Sequence, residues 1–311
     1  MQRLRIGIIG TGAIGGFYGL MLAKAGHDVH FLLRSEYQAV VANGLRLNSA
    51  VNGQLHLQSV QAWGDPAEMP PCDWLLVGAK TTSNAQLAPV ITRLSRPGTR
   101  VVLLQNGLAV EEQLRPLLPD NLHLLGGLCF ICTHRAAPGV IEHQALGAVN
   151  LGYHSGPARA GESLAIVEEG AELFRSAGLE SVAMADLQQA RWQKLVWNVP
   201  YNGLSVLLGA GTTRLMANAD SRALILELMR EVVQGAAACG QVLPEGYPEK
   251  LLATTERMPD YLPSMYHDFQ HKRPLELQAI YAAPLAAAAA AGCELPKMRM
   301  LHQALRFLDA G

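Results

Sequence analysis

The sequence predicts an α/β chain: a doubly wound, mainly parallel sheet followed by an all-α C-terminal domain. Two observations carry this. Over the first ~180 residues, short apolar runs alternate with helical segments, the pattern of a parallel sheet covered on both faces. From Asp186 onward strand signals vanish, helical periodicity takes over, and alanine and leucine rise. A length of 311 residues suits two packed cores. The expected domains are residues 1–185 and 186–311.

The first element is an apolar strand, Leu4 to Ile9, followed by Gly10-Thr11-Gly12-Ala13-Ile14-Gly15-Gly16 and a helical run from Phe17 to Gly26. Strand, glycine turn and helix form the context in which G-x-G-x-x-G signals a dinucleotide site. Gly10 makes the turn, Gly12 lets a pyrophosphate approach the backbone, and Gly15 lets the helix lie close on the strand. The helix N-terminus supplies unpaired N–H groups and a positive dipole end. The N-terminal domain is therefore read as Rossmann-type, with Gly10, Thr11, Gly12, Ala13, Ile14 and Gly15 as cofactor-binding residues. The second strand, Asp28 to Leu33, ends in Arg34-Ser35, with the acid Glu36 displaced beyond it. A guanidinium pairs with a 2′-phosphate where an acid would bind a ribose hydroxyl, so Arg34 favours NADP(H) over NAD(H). The alternative is an ordinary solvated loop charge.

Leu45–Leu47 and Leu55–Val60 flank Asn52-Gly53, a hairpin signal. Strands follow at Trp74–Ala79, Arg100–Leu104 and Leu122–Cys132, and Gly139–Glu142 and Ala148–Gly152 extend the sheet. A helix from Glu162 to Ala177 leads to a last strand at Glu180–Ala183. The C-terminal domain reads as helices at 187–208, 221–239, 248–257, 264–272, 275–291 and 297–309.

Composition narrows the function classes. With 25 Lys and Arg against 26 Asp and Glu, the net charge is −1, and no basic patch supports nucleic-acid binding. No apolar run reaches the ~20 residues needed to span a bilayer. The opening strand leaves no room for a signal peptide. A cytoplasmic protein without a membrane or nucleic-acid partner is expected. Of five cysteines, only Cys129 and Cys132 have a C-x-x-C spacing. A structural zinc needs four ligands, so buried, reduced thiols are expected instead.

In open parallel sheets, ligands collect at the carboxyl ends of the strands. Lys80 and Asn106 stand at two such ends and are candidates for cofactor or substrate contacts. The first C-terminal helix carries Lys194, Asn198 and Asn202 at a spacing of four, on one face. The rest of that helix is apolar almost all round, so these groups need partners; a solvated face is the alternative. Pro200 is expected to kink the helix and free the carbonyl of Val196. A shielded lysine can donate a proton to a carbonyl oxygen as hydride arrives, and asparagine amides can hold a carboxylate or hydroxyl. Ser264 is expected as an N-cap after Pro263, and Pro274 with Glu276 in the first turn of the next helix. His267-x-x-x-His271 has metal-ligand spacing, but no third ligand accompanies it, and no metal site is expected.

With these residues in order and spacing, the chain resembles the ketopantoate reductase (2-dehydropantoate 2-reductase) family over nearly its whole length. The glycine turn, Arg34, Ala79-Lys80, Asn106-Gly107, Trp192-x-Lys194, Asn198, Asn202 and the block from Ser264 to Glu276 carry the resemblance. It implies NADPH-dependent reduction of 2-dehydropantoate to pantoate, towards pantothenate and coenzyme A. It implies Lys194 as proton donor and Glu276 as its catalytic companion. Asn198, Asn202 and Ser264 would hold the substrate. Lys80 and Asn106 would lie where nicotinamide ribose and substrate meet, and Arg34 would take the 2′-phosphate. The chain departs from the family at Thr212-Thr213, where members often carry Asn-Gly, and at Pro200 and Gly203. Two other readings use the same scaffold: an NADP-dependent reductase of a different 2-keto acid, and a non-catalytic NADP(H) sensor. The apolar helical domain also leaves room for a homodimer face.

Overall fold

The computed structural model describes residues 4–159 and 161–310. The chain divides into two compact units, residues 1–105 with 110–187, and residues 106–109 with 188–311.

The first unit is built on one ten-stranded sheet. Its strands are β1 (Arg5–Ile9), β2 (Asp28–Leu32), β3 (Leu45–Ser49), β4 (Gly53–Leu57), β5 (Gln61–Trp63), β6 (Trp74–Val77), β7 (Arg100–Leu103), β8 (His123–Ala137), β9 (Val140–Ser155) and β10 (Ala183–Met184). The spatial order is β4-β3-β9-β8-β7-β6-β1-β2-β5, with β10 paired to β9. From β1 the chain turns to β2 and β5 on one side, then returns to β6, β7 and β8 on the other. All of these pair in parallel. The direction of travel therefore switches between β1 and β6, the position at whose carboxyl ends ligands bind in open α/β sheets.

The two short strands expected at 139–142 and 148–152 are one sixteen-residue strand, β9. It runs antiparallel to the fifteen-residue β8 through four register irregularities. Bulges let long strands bend without losing the ladder, and the break in apolar character at His143–Leu146 reflects this irregularity rather than a turn. The hairpin at Asn52-Gly53 forms between β3 and β4 as expected. Helices α1 (Ala13–Lys24), α2 (Tyr37–Asn43), α3 (Asn84–Leu94), α4 (Val110–Leu114) and α5 (Ser163–Arg175) complete the unit. Phe17, Tyr18, Leu20 and Leu22 of α1 pack with Ile8, Phe31 and Phe174, all fully buried. Each such side chain contributes roughly 1.5–3 kcal/mol by leaving water.

The second unit is helical: α6 (Leu187–Leu208), α7 (Thr212–Ala217), α8 (Ala219–Ala238), α9 (Tyr247–Glu256), α10 (Ser264–Gln270), α11 (Ala283–Ala290) and α12 (Pro296–Asp309). Leu187, which opens α6, belongs to the first unit's packing. Buried Glu231 on α8 accepts the N–H groups of Lys297 and Met298 at 3.0 and 2.9 Å, satisfying orphan donors at the start of α12. The helix expected over 275–291 begins only at Leu277 and passes through a π-helical turn, Gln278–Ala282, before α11. Pro274 consequently lies outside it. Pro284 lacks an N–H for the carbonyl of Ile280, which is a reason for the ladder to change register there. Ser264 is the first helical residue of α10, with Pro263 at the cap position, rather than the cap itself.

Candidate functional site

In the first unit the glycine turn has the predicted form. Gly10 follows β1 with φ of +86°, and a Cβ there would lie 2.4 Å from the Ala79 nitrogen after β6. A Cβ on Gly15 would lie 2.3 Å from the carbonyl oxygen of Gly10. Only glycine permits this approach of helix to strand. Gly12 is different, because a Cβ there would meet nothing within 4 Å. That open space lies at the N-cap of α1, whose first bond runs from Gly16 N–H to Gly12 O at 2.9 Å. The amides of Ala13, Ile14 and Gly15 stay outside the helix's own ladder. Thr11 Oγ1 donates to Leu32 O at 3.2 Å, tying the turn to the end of β2.

Beyond β2, Arg34 is exposed and has no ion-pair partner among the described residues. Glu36 is 7% exposed, pairs with Arg135 and accepts Gly139 N–H at 2.9 Å. Its carboxylate is committed to the β8–β9 turn, which leaves Arg34 as the charge offered to a ligand near this strand end. Free backbone donors, open room at Gly12 and an uncommitted guanidinium fit the pyrophosphate and 2′-phosphate of a dinucleotide.

Lys80 is half-buried and caps a short 3₁₀ turn, Thr81–Ser83. The residues that hold this loop escaped the sequence reading. Gln105 is 4% exposed and exchanges two amide hydrogen bonds with Asn84, 3.1 and 2.7 Å. Its Nε2 also donates to Ala79 O at 2.8 Å. Gln105 and Asn84 are 21 residues apart and show no periodic signal. Only the parallel register of β6 and β7 brings their ends together.

In the second unit α6 is buried on nearly every side. Asn198 and Asn202 are 5% and 2% exposed, and Lys194 is half-buried. The stripe is therefore not a solvated face. Asn202 Oδ1 accepts the N–H of Met265 at 3.2 Å, which seats the start of α10, and with it Ser264, against α6. The amide nitrogen of Asn198 is buried with no hydrogen-bond partner. Leaving such a donor unpaired costs about 1–3 kcal/mol, and an acceptor, from water or a ligand, would relieve that cost. α6 continues through Pro200 without a break.

Glu276 is 4% exposed and stands two residues before the π turn, with Ile280 N–H donating to its carbonyl at 3.1 Å. Arg273 Nε donates to buried Asp268 Oδ1 at 3.0 Å, bracing the segment between Ser264 and Glu276. The two residues that follow Asn106 meet the same turn. Gly107, at φ +110°, would place a Cβ 2.4 Å from that of Ala279, and Leu108 N–H donates to Ala279 O at 2.9 Å. The second unit thus carries Lys194, Asn198, Asn202, Ser264, Glu276 and Asn106 on three segments that hydrogen-bond to one another. Thr212, at the departure from the family pattern, is 2% exposed and works as a loop anchor. Its hydroxyl accepts Tyr261 N–H at 2.9 Å, and Thr213 N–H donates to Asp260 Oδ1 at 2.9 Å.

The cysteines are free, and burial pushes the thiols of Cys72 and Cys132 up to about 12 and about 11. No helix among the described residues is long and apolar enough to cross a membrane.

Comparison with known proteins agrees with this architecture. The family model described as ketopantoate reductase PanE/ApbA matches residues 6–156, and its C-terminal counterpart matches residues 186–309. A 2-dehydropantoate 2-reductase of Nostoc sp. is 41% identical, covering 99% of this chain and 96% of that protein. Among solved structures, a 2-dehydropantoate 2-reductase from Geobacter metallireducens superposes with a TM-score of 0.91 at 40% identity, covering 97% of this chain and 99% of that one. One from Methylococcus capsulatus gives 0.85 at 34% identity, covering 99% and 97%.

Proposed function

The chain belongs to the ketopantoate reductase family, and on that premise we propose that it reduces 2-dehydropantoate to pantoate with NADPH. The observation that carries the reading is the buried, unpartnered amide of Asn198, one turn from Lys194 on α6. A donor in that position suits an oxygen of a keto acid, and neither a solvated helix face nor a sensor requires it.

NADPH, when bound, supplies the hydride. Gly10, Thr11, Gly12, Ala13, Ile14 and Gly15 would hold its pyrophosphate through backbone amides. Arg34 would hold its 2′-phosphate, and Lys80 and Asn106 its ribose and nicotinamide end. Lys194 gives a proton from Nζ to the C2 ketone oxygen as that oxygen gains charge. Asn198, Asn202, Ser264 and Asn106 orient the carboxylate and hydroxyl of the substrate without changing the charge of the site. Glu276, just ahead of the π turn, contributes a hydrogen-bond acceptor that orients Lys194. Orientation of this kind lowers the barrier because the groups are already in place when the substrate arrives.

The test is loss of NADPH absorbance by purified protein with 2-dehydropantoate, beside other 2-keto acids and with NADH as the alternative cofactor. Fast turnover with 2-dehydropantoate and NADPH is expected. Preference for another keto acid would retain the chemistry and replace the substrate. Cofactor binding without turnover of any keto acid would overturn the reading.

A further inference from the structure

Tyr281 stands inside the π turn Gln278–Ala282 and is fully buried. Its hydroxyl donates to the carbonyl of Val199 at 2.8 Å. The same oxygen lies where a Cβ on Gly203 would come within 2.5 Å of it. Val199 and Gly203 are an i, i+4 pair of α6, so the phenol is set against one rung of that helix's ladder. The rung matters because of its neighbours: Val199 follows Asn198, and Gly203 follows Asn202. One residue further on, Pro200 withholds the N–H that would have bonded Val196 O. This turn of α6 is therefore short of one internal bond, and the Tyr281 hydroxyl braces it from outside. Burial pushes the phenol well above its ordinary range, so it remains a neutral donor. The ring lies parallel to that of His302, with centroids 6.0 Å apart and planes 4° apart.

The π turn touches the rest of the candidate site as well. It begins after Glu276, and Ala279 O accepts the N–H of Leu108 beside Asn106. Side chains that insert at a helix ladder bend or re-aim the helix locally, and π turns recur where a helix must present a group out of register. Gly203, which the resemblance leaves as an unexplained departure, has its reason here: a Cβ would meet the Tyr281 hydroxyl at 2.5 Å and the Leu301 side chain at 2.7 Å.

We propose that Tyr281 is a positioning residue for the keto-acid site, bracing the turn of α6 that presents Asn198 and Asn202, with Gly203 as its receptor. The kinetic part rests on the reductase reading given above; the bracing itself does not.

The test uses the full chain and two variants, Tyr281→Phe and Gly203→Ala, with their combination. Tyr281→Phe keeps the ring and its stacking on His302 and removes one hydrogen bond. The expected result is a rise in KM for the keto acid of about 3- to 10-fold, with kcat changed less and NADPH affinity unchanged. Amide hydrogen exchange in residues 196–204 should accelerate by a similar factor, and exchange in the first unit should not change. Gly203→Ala should raise KM in the parent, and raise it less in the Tyr281→Phe background, where of the two obstructions only the flexible Leu301 side chain remains. Unchanged exchange over 196–204 would overturn the bracing. Accelerated exchange with unchanged KM in an active enzyme would overturn the link to the site. If the parent reduces no keto acid, the reductase reading fails, and the exchange measurement still decides whether Tyr281 braces α6.

Discussion

The two units build their candidate sites by opposite means. The first uses backbone: a glycine turn after β1, amides at the start of α1, and one exposed guanidinium. The second uses side chains, with two buried asparagines and a half-buried lysine on a helix surrounded by apolar neighbours. A backbone site needs particular residues mainly where a side chain would obstruct. A side-chain site needs particular residues everywhere, and every polar group placed in it must find a partner or cost free energy. The first kind is therefore compact in sequence. The second is scattered over Asn106, Lys194 to Asn202, Ser264 and Glu276, and depends on packing to gather it.

The contrast breaks most sharply at Lys194. Lys194→Ala should lower turnover by roughly 10²- to 10⁴-fold, the usual worth of a positioned proton donor, while NADPH binding measured by fluorescence titration stays at the parent value. Loss of NADPH binding in that variant would show that the side-chain site also carries the cofactor. In the first unit, Arg34→Ala should weaken NADPH by about 10- to 100-fold, the range for charge-assisted hydrogen bonds. NADH affinity, titrated in parallel, should stay within about twofold by the same reasoning. Equal loss for both cofactors would remove the 2′-phosphate from the account.

A glycine pair sharpens the backbone half. Gly12→Ala meets nothing within 4 Å and Gly15→Ala meets the Gly10 carbonyl at 2.3 Å. The first should leave Tm unchanged and weaken NADPH. The second should cost about 1–3 kcal/mol of stability, as overpacking does, read as a lower denaturant midpoint. The reverse pattern would mean that Gly12 serves packing and Gly15 the ligand.

The smallest expected effect is in the pH response. Burial lowers the imidazoles of His27, His30, His123 and His143 in the first unit, and of His302 in the second. For His30 the nearby Asp28 partly opposes that shift. A histidine lowered on folding is held neutral in the native state, so the unfolded chain binds more protons as pH falls below about 6.5. Its contribution is fully present above that pH and declines below it. Hydrogen exchange between pH 7 and 5 should show protection falling further in the first unit than in the second. Equal decline in both would assign the acid sensitivity elsewhere.

The glycine turn was legible from the sequence because local geometry alone dictates it: strand, positive-φ glycine and helix follow one another without a long-range contact. The spacing of Lys194, Asn198 and Asn202 was legible for a related reason, since 3.6 residues per turn puts i, i+4 and i+8 on one face. What that face meets was not. Asn202 bonding to Met265, 63 residues away, and Gln105 pairing with Asn84 need the chain already folded. The long β9 and the late start of the helix after Pro274 were missed because bulges and π turns depend on partner strands and helices, not on periodicity.

The α/β class, the glycine turn, Arg34 at the end of β2 and the helical stripe follow from the order of residues alone, all consequences of short-range sterics and periodicity. It took packing to commit Glu36 to Arg135 and Gly139, to bury the amide of Asn198 without a partner, and to set Tyr281 and Leu301 where a Cβ on Gly203 would lie. Burial and hydrogen-bond satisfaction belong to the packed whole: the same asparagine is free in water or short of a partner according to neighbours far away in the chain.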